Sequence, residues 1–223
     1  VDDIEIDGAD GRLAARHYRP EAGKAVPVLL VYFHGGGYVV GDLDTHDDVC
    51  RLLCREAGVQ VLSVAHRQAP EHPFPAGLND ALAAMRWASL HAPAWGIDAK
   101  AIAIGGDSSG ASLACVAAHQ LAREGMPPIA QCLCCPGTDL VTERPSLSAY
   151  GHDLFLSVPD RAWFYGHYLG DEPMAHDDPR ISPLWHKDLS LMPPTVLCTA
   201  NLDILRDEGL AFAQVLRKAK VPL

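Results

Sequence analysis

Gly106-Asp107-Ser108-Ser109-Gly110 follows the apolar run Ala101-Ile102-Ala103-Ile104. It leads straight into Ala111-Ser112-Leu113-Ala114-Cys115-Val116-Ala117-Ala118. A G-x-S-x-G pattern between a strand and a helix reads as a nucleophile elbow. A serine on so sharp a turn needs strained backbone angles, and the chain must pass close to itself two residues to either side. Glycine admits that approach because it has no Cβ. The turn lifts the Ser108 hydroxyl clear of the sheet and points the first N–H groups of the helix at the reacting centre. An ordinary Gly-Ser turn is the competing reading, and the strand before and helix after weigh against it.

His34-Gly35-Gly36-Gly37 lies upstream, directly after the apolar stretch 26–33. Acyl transfer builds negative charge on a carbonyl oxygen, and such a site needs donors already aimed at it. A glycine run presents backbone N–H groups with no side chain in the way. Alone it reads as a flexible loop; with the serine motif downstream it completes a pair of motifs suited to attack on a carbonyl.

Around these motifs short apolar runs alternate with helical patterns. This is the signature of an α/β fold, a mostly parallel sheet with helices on both faces. Buried strands are expected at residues 27–33, 59–64, 101–104, 129–135 and 195–199. The alternating stretches 4–6 and 13–18 read as antiparallel edge strands. Helices are expected at 45–57, 78–90, 109–123, 160–169 and 207–219. The chain, 1–223, reads as one domain. Residues 140–194 hold no convincing strand and are expected to be a functional insertion, its best helix carrying Trp163, Phe164, Tyr165 and Tyr168, which either pack into the core or serve in part as a cap over the serine.

Composition narrows the partners. A net charge of −10 argues against nucleic acid, and no stretch is long enough for a membrane span. The seven cysteines lack zinc spacing and fall on helix or strand patterns. They are expected to be apolar core filler in a reducing, cytoplasmic compartment.

Four motifs in register carry a resemblance: His34–Tyr38, Arg67–Ala76, Gly106–Gly110 and Asp203–Gly209. Over residues 13–220 the chain resembles the bacterial hormone-sensitive-lipase-like esterases. It departs from them at Ser109, where alanine is usual, and at His66-Arg67-Gln68, where tyrosine-arginine-leucine is usual. The resemblance implies an α/β-hydrolase fold and hydrolysis of short- to medium-chain acyl esters through an acyl-enzyme, with no cofactor and no metal. It implies an oxyanion hole made by the N–H groups of Gly36, Gly37 and Ser109, the loop being supported by His34 and Gly35. The expected partner is a small-molecule ester, and a homodimer is left open. The Ser109 hydroxyl is expected to make only a local helix-start hydrogen bond.

Ser108 needs a base, and the base needs an orienting acid. Asp203 follows the strand at 195–199 by a short loop and is the expected acid. Its competitor, Asp207, better suits the start of the next helix as a cap. All eleven histidines precede Asp203, whereas in this fold the base follows the acid. The resemblance implies a histidine roughly 25–35 residues beyond Asp203. On this reading the last strand-loop unit and the N-terminal part of the cap are missing, and the chain as written lacks its general base and is inactive. Two alternatives share the fold: a non-catalytic ligand receptor, and an amide or formamide hydrolase.

Overall fold

The computed structural model describes residues 1–21, 23–152, 154–170 and 174–223. Residues 153 and 171–173, within the expected insertion, lie outside that description.

A seven-stranded sheet runs in the order β1-β2-β4-β3-β5-β6-β7. β1 (Asp2–Asp7) and β2 (Arg12–Tyr18) form an antiparallel pair, and β2 continues antiparallel onto β4 (Gln60–Val64). β1 is therefore an edge as expected, whereas β2 is paired on both sides. The other five strands are parallel: β4, β3 (Leu29–Phe33), β5 (Ile102–Asp107), β6 (Gln131–Cys134) and β7 (Thr195–Cys198).

The period-2 alternation of a strand buried on both faces is explicit in β3. Leu29, Val31 and Phe33 join the larger core with α2 (Ala76–His91) and α3 (Ser108–Arg123). Leu30 and Tyr32 face the other way, onto Cys50 and Cys54 of α1 (Asp47–Ala57). Helices thus cover both faces, as the alternating pattern requires.

α1 begins two residues later than expected because Asp42 and Thr45 fold into a turn. Asp42 Oδ1 accepts from the N–H groups of Asp44 and Thr45, and Thr45 Oγ1 accepts from Asp42 N–H. This competition of short polar side chains with the helix leaves His46 just outside α1.

The stretch 140–194 contributes no strand among its described residues. It carries α4 (Pro145–Tyr150), α5 (Val158–Leu169) and a short 3-10 turn at Pro183–Trp185. α5 starts earlier than expected because Ser157 and Asp160 form a reciprocal capping box. α6 (Arg206–Lys218) follows β7.

The expectation for the cysteines needs correction. Cys50, Cys54 and Cys115 are buried, and Cys132 and Cys135 are half-buried, but Cys134 and Cys198 are exposed; all seven are free thiols. Cys134 ends β6 and Cys198 ends β7, the outermost strand of the described sheet. An apolar strand pattern does not reveal which strand lies outermost.

Candidate active site

β5 ends at Asp107 and α3 begins at Ser108, so the chain reverses direction at the serine itself. Ser108 has φ 50°, a left-handed conformation that costs a side-chain-bearing residue about 1 kcal/mol or more. The two motif glycines make that turn feasible. A Cβ on Gly106 would strike the Phe33 carbonyl and lie 2.6 Å from the Gly110 carbonyl carbon. One on Gly110 would run into the Phe33 and His34 carbonyls. These are backbone atoms of β3 and its exit, which the sheet holds in place.

β3 is the neighbour of β5, so its exit loop passes beside the elbow. Gly36 and Gly37 adopt φ 121° and 61°. Their N–H groups, and that of Ser109, donate to no backbone or side-chain acceptor among the described residues. All three residues border the cavity that contains Ser108. Gly35 N–H, in contrast, is tied to Asp107 Oδ1 at 3.0 Å. His34 Nδ1–H donates to the Gly35 carbonyl at 2.7 Å while its ring stacks on His66. Burial, reinforced by His66, pushes His34 down to about 4, so it is a neutral prop near neutral pH.

Asp107 is the hinge of this arrangement. Besides Gly35 it accepts from the Tyr32 hydroxyl at 2.7 Å and pairs with His46 Nε2 at 3.3 Å. Burial favours the neutral acid, but the hydrogen bonds from His46 and Tyr32, the His46 charge and the Gly35 amide outweigh it. They hold the carboxyl below its ordinary range. Reciprocally, the bond to Asp107 raises His46.

Ser109 departs from expectation. Its hydroxyl accepts from Tyr38 N–H at 3.2 Å, a bond between the elbow and the glycine loop 71 residues away. The expected local helix-start bond is not made; the local side-chain bond at this end of α3 belongs to Ser112, from Oγ to the Ser108 carbonyl at 3.2 Å.

Asp203 borders the same cavity, its Oδ1 fixed by Leu205 N–H at 2.9 Å. Asp207 does not: it accepts from Ser146 N–H at 2.9 Å and from Arg206, joining α6 to α4 rather than capping α6. The structure therefore brings Ser108, Ser109, Gly36, Gly37 and Asp203 to one cavity.

Of the described histidines only His46 borders that cavity, and none hydrogen-bonds to Ser108 or Asp203. His46 is engaged at both nitrogens, by Thr45 and Asp107. His119 lies eleven residues along α3 from Ser108, about 16 Å at helical rise. It bonds the Asp188 carbonyl and sits against His186 in a separate surface hollow. His46 escaped the sequence reading; only the Asp-Leu-Asp-Thr turn before α1 signals that it is held outside a helix.

The cavity measures about 870 Å³. α5 supplies one wall, with Phe164 against Gly37 and Tyr165 beside it; Phe155, Leu156, Leu202 and Leu205 extend the apolar lining. Tyr168 is buried in the core instead, stacked on Tyr38 at 3.7 Å, while Trp163 is exposed. The aromatics of α5 thus divide between cavity, core and surface.

The fold around this cavity is that of a known family. The chain belongs to the family of the α/β hydrolase fold, which matches residues 30–223. It is 46% identical to the carboxylic ester hydrolase LipN of Mycobacterium tuberculosis, covering 98% of this chain and 60% of that protein. It is 42% identical to an ethyl acetate hydrolase of Pseudomonas putida, covering 99% of the chain and 71% of the relative. A hyperthermophilic esterase of the archaeon Pyrobaculum calidifontis superposes with a TM-score of 0.92 at 39% identity, over 99% of this chain and 71% of that one. The chain thus spans about three fifths of the mycobacterial relative and about seven tenths of the other two.

Proposed function

We propose that the protein is a serine carboxylic-ester hydrolase resembling the hormone-sensitive-lipase-like esterases, acting on short- to medium-chain acyl esters. One observation carries the reading. The strained Ser108 and the three undirected N–H groups of Gly36, Gly37 and Ser109 border one cavity. Ser108 Oγ attacks the ester carbonyl, and the three N–H groups receive the charge that develops on its oxygen. Collapse expels the alcohol and leaves an acyl-enzyme, which water then hydrolyses. Asp203 orients the general base. Among the described histidines only His46 reaches the cavity, and it already serves Asp107. Residues 140–194 act as part of a cap, in keeping with Phe164 and Tyr165 in the cavity wall. The substrate class rests on the apolar lining and on the relatives' names, among them an ethyl acetate hydrolase.

The test is Ser108→Ala in the full-length protein. Turnover of a p-nitrophenyl ester should fall by at least three orders of magnitude, with far-UV circular dichroism unchanged. Retention of more than about a tenth of the wild-type rate would remove Ser108 from the mechanism.

A further inference from the structure

One wall of the cavity carries a cation that ester hydrolysis as described does not use. Arg161, on the first turn of α5, borders the cavity with its side chain only 14% exposed. Both of its protein hydrogen bonds are made by Nη2, to the Asp139 carbonyl at 2.8 Å and to Glu208 Oε2 at 2.9 Å. Nε is buried with no partner, and Nη1 has no protein acceptor among the described residues. A buried guanidinium normally engages its fork with planar acceptors on both sides, and an unsatisfied buried donor costs about 1–3 kcal/mol.

Its one anionic neighbour is a poor counter-ion. Glu208 is almost wholly buried on α6, and burial raises its carboxyl to about 7 despite the Arg161 charge and the Thr138 N–H bond. The other carboxylates facing the cavity are already committed. Asp107 is held by His46, Tyr32 and Gly35, Asp160 by the α5 capping box, and Asp203 by Leu205 N–H.

Arg161 and Ser108 line the same cavity of about 870 Å³. Ser112 Oγ bonds both the Ser108 and Gly137 carbonyls, and Gly137 lies beside Glu208 and Tyr165, so a hydrogen-bonded layer joins the elbow to the wall that carries the guanidinium.

We infer that the cavity accepts esters bearing a second, ionised carboxyl group, half-esters of dicarboxylic acids, which Arg161 receives through Nη1. The inference rests on the ester-hydrolase reading and narrows its substrate class. An apolar wall with one convergent cation is suited to this discrimination, since a charged end finds a partner that an alkyl end leaves idle.

The experiment uses the full-length enzyme with two matched series. Monoethyl succinate, glutarate, adipate and pimelate are compared with ethyl esters of alkanoic acids of equal length, kcat/KM being read for each. Wild type should prefer one of the half-esters, and Arg161→Met should lower the ratio of half-ester to alkanoate kcat/KM at least tenfold. Arg161→Lys should restore part of that ratio. Because the readout is a ratio, a general loss of folded enzyme cancels. Should Arg161→Met fail to fold, inhibition of the wild type by free adipate against hexanoate decides, adipate binding at least tenfold tighter. Hydrolysis of both series with no half-ester preference, or a ratio unmoved in Arg161→Met, overturns the carboxylate site and leaves the esterase reading intact. Failure of wild type to hydrolyse either series overturns both.

Discussion

Asp107 offers the sharpest test of how the glycine loop is held. Asp107→Ala removes one acceptor from three donors: Tyr32 Oη at 2.7 Å, Gly35 N at 3.0 Å and His46 Nε2 at 3.3 Å. Tyr32 and Gly35 are buried, so neither donor is readily rescued by solvent. Hydrogen bonds to a charged acceptor contribute about 1.5–3 kcal/mol each. The Asp107 side chain is 29% exposed, which trims that figure. A loss of about 3 kcal/mol of stability is expected in urea denaturation. The effect on catalysis is separable. Gly35 is the residue before the proposed donors Gly36 and Gly37, and releasing its N–H lets those N–H groups drift. A displacement of about 1 Å is enough to reduce kcat by roughly a hundredfold. With a p-nitrophenyl ester, kcat should therefore drop ten- to hundredfold with little change in KM, since the loop acts on the transition state. Asp107→Asn, which keeps an oxygen where Tyr32 and Gly35 donate, should recover most of the kcat. Asp107→Ala with kcat within threefold of wild type, measured on folded protein, would show that the loop is held by something else.

Three further outcomes follow from the same geometry. Ser109→Ala, which frees the buried Tyr38 N–H, should lower stability by about 1–2 kcal/mol while changing kcat/KM less than tenfold; thermal unfolding and steady-state kinetics separate the two, and unchanged stability would rule out the cross-link to Tyr38. His34 is held neutral, down to about 4 against an ordinary value near 6.5. Its contribution to stability is complete above pH 6.5 and is lost as pH falls toward 4, where the unfolded chain takes up a proton that the folded one refuses, a loss of about 3 kcal/mol. The stability difference between wild type and His34→Gln should therefore shrink from pH 7 to pH 4.5 in urea titrations, and a constant difference would contradict it. Gly110→Ala should abolish soluble folded protein because its Cβ meets two fixed carbonyls, whereas Gly166→Ala, with open space around it, should express and fold normally.

The parts of the fold legible in the sequence are those whose cause is local. Gly106 and Gly110 are required by the turn they flank, and a reader of five residues can see why. The two-faced burial of β3 follows from an unbroken apolar run, and the absence of a strand among the described residues of 140–194 from its Pro, Asp and His content. That Asp203 rather than Asp207 borders the cavity was legible because only a residue before α6 lies in the loop that follows β7. What sequence spacing did not show depends on closure across the chain. The Ser109 hydroxyl meets a backbone N–H 71 residues away, and His46 meets Asp107 across 61. Each bond exists because β3 and β5 are neighbours, a fact of strand order rather than of either motif. The exposure of Cys134 and Cys198 failed for the same reason. The chemistry of a strand residue is written in its own run, but its accessibility is written in its neighbours.

The stack of Tyr38 on Tyr168, with Phe74 set edge-on against it, couples the glycine loop to α5 as one mechanical part. This has an evolutionary consequence. Inward positions of α5 cannot drift without disturbing the loop, so they form an inherited chassis. Phe155 and Trp163 hang outside that coupling, the first fully exposed and the second half so. Phe155 also borders the cavity, so change there alters what meets an entering ester without unsettling the loop. On the proposed function, a mutagenesis library restricted to such rim positions should sample new specificities at little cost in folded protein.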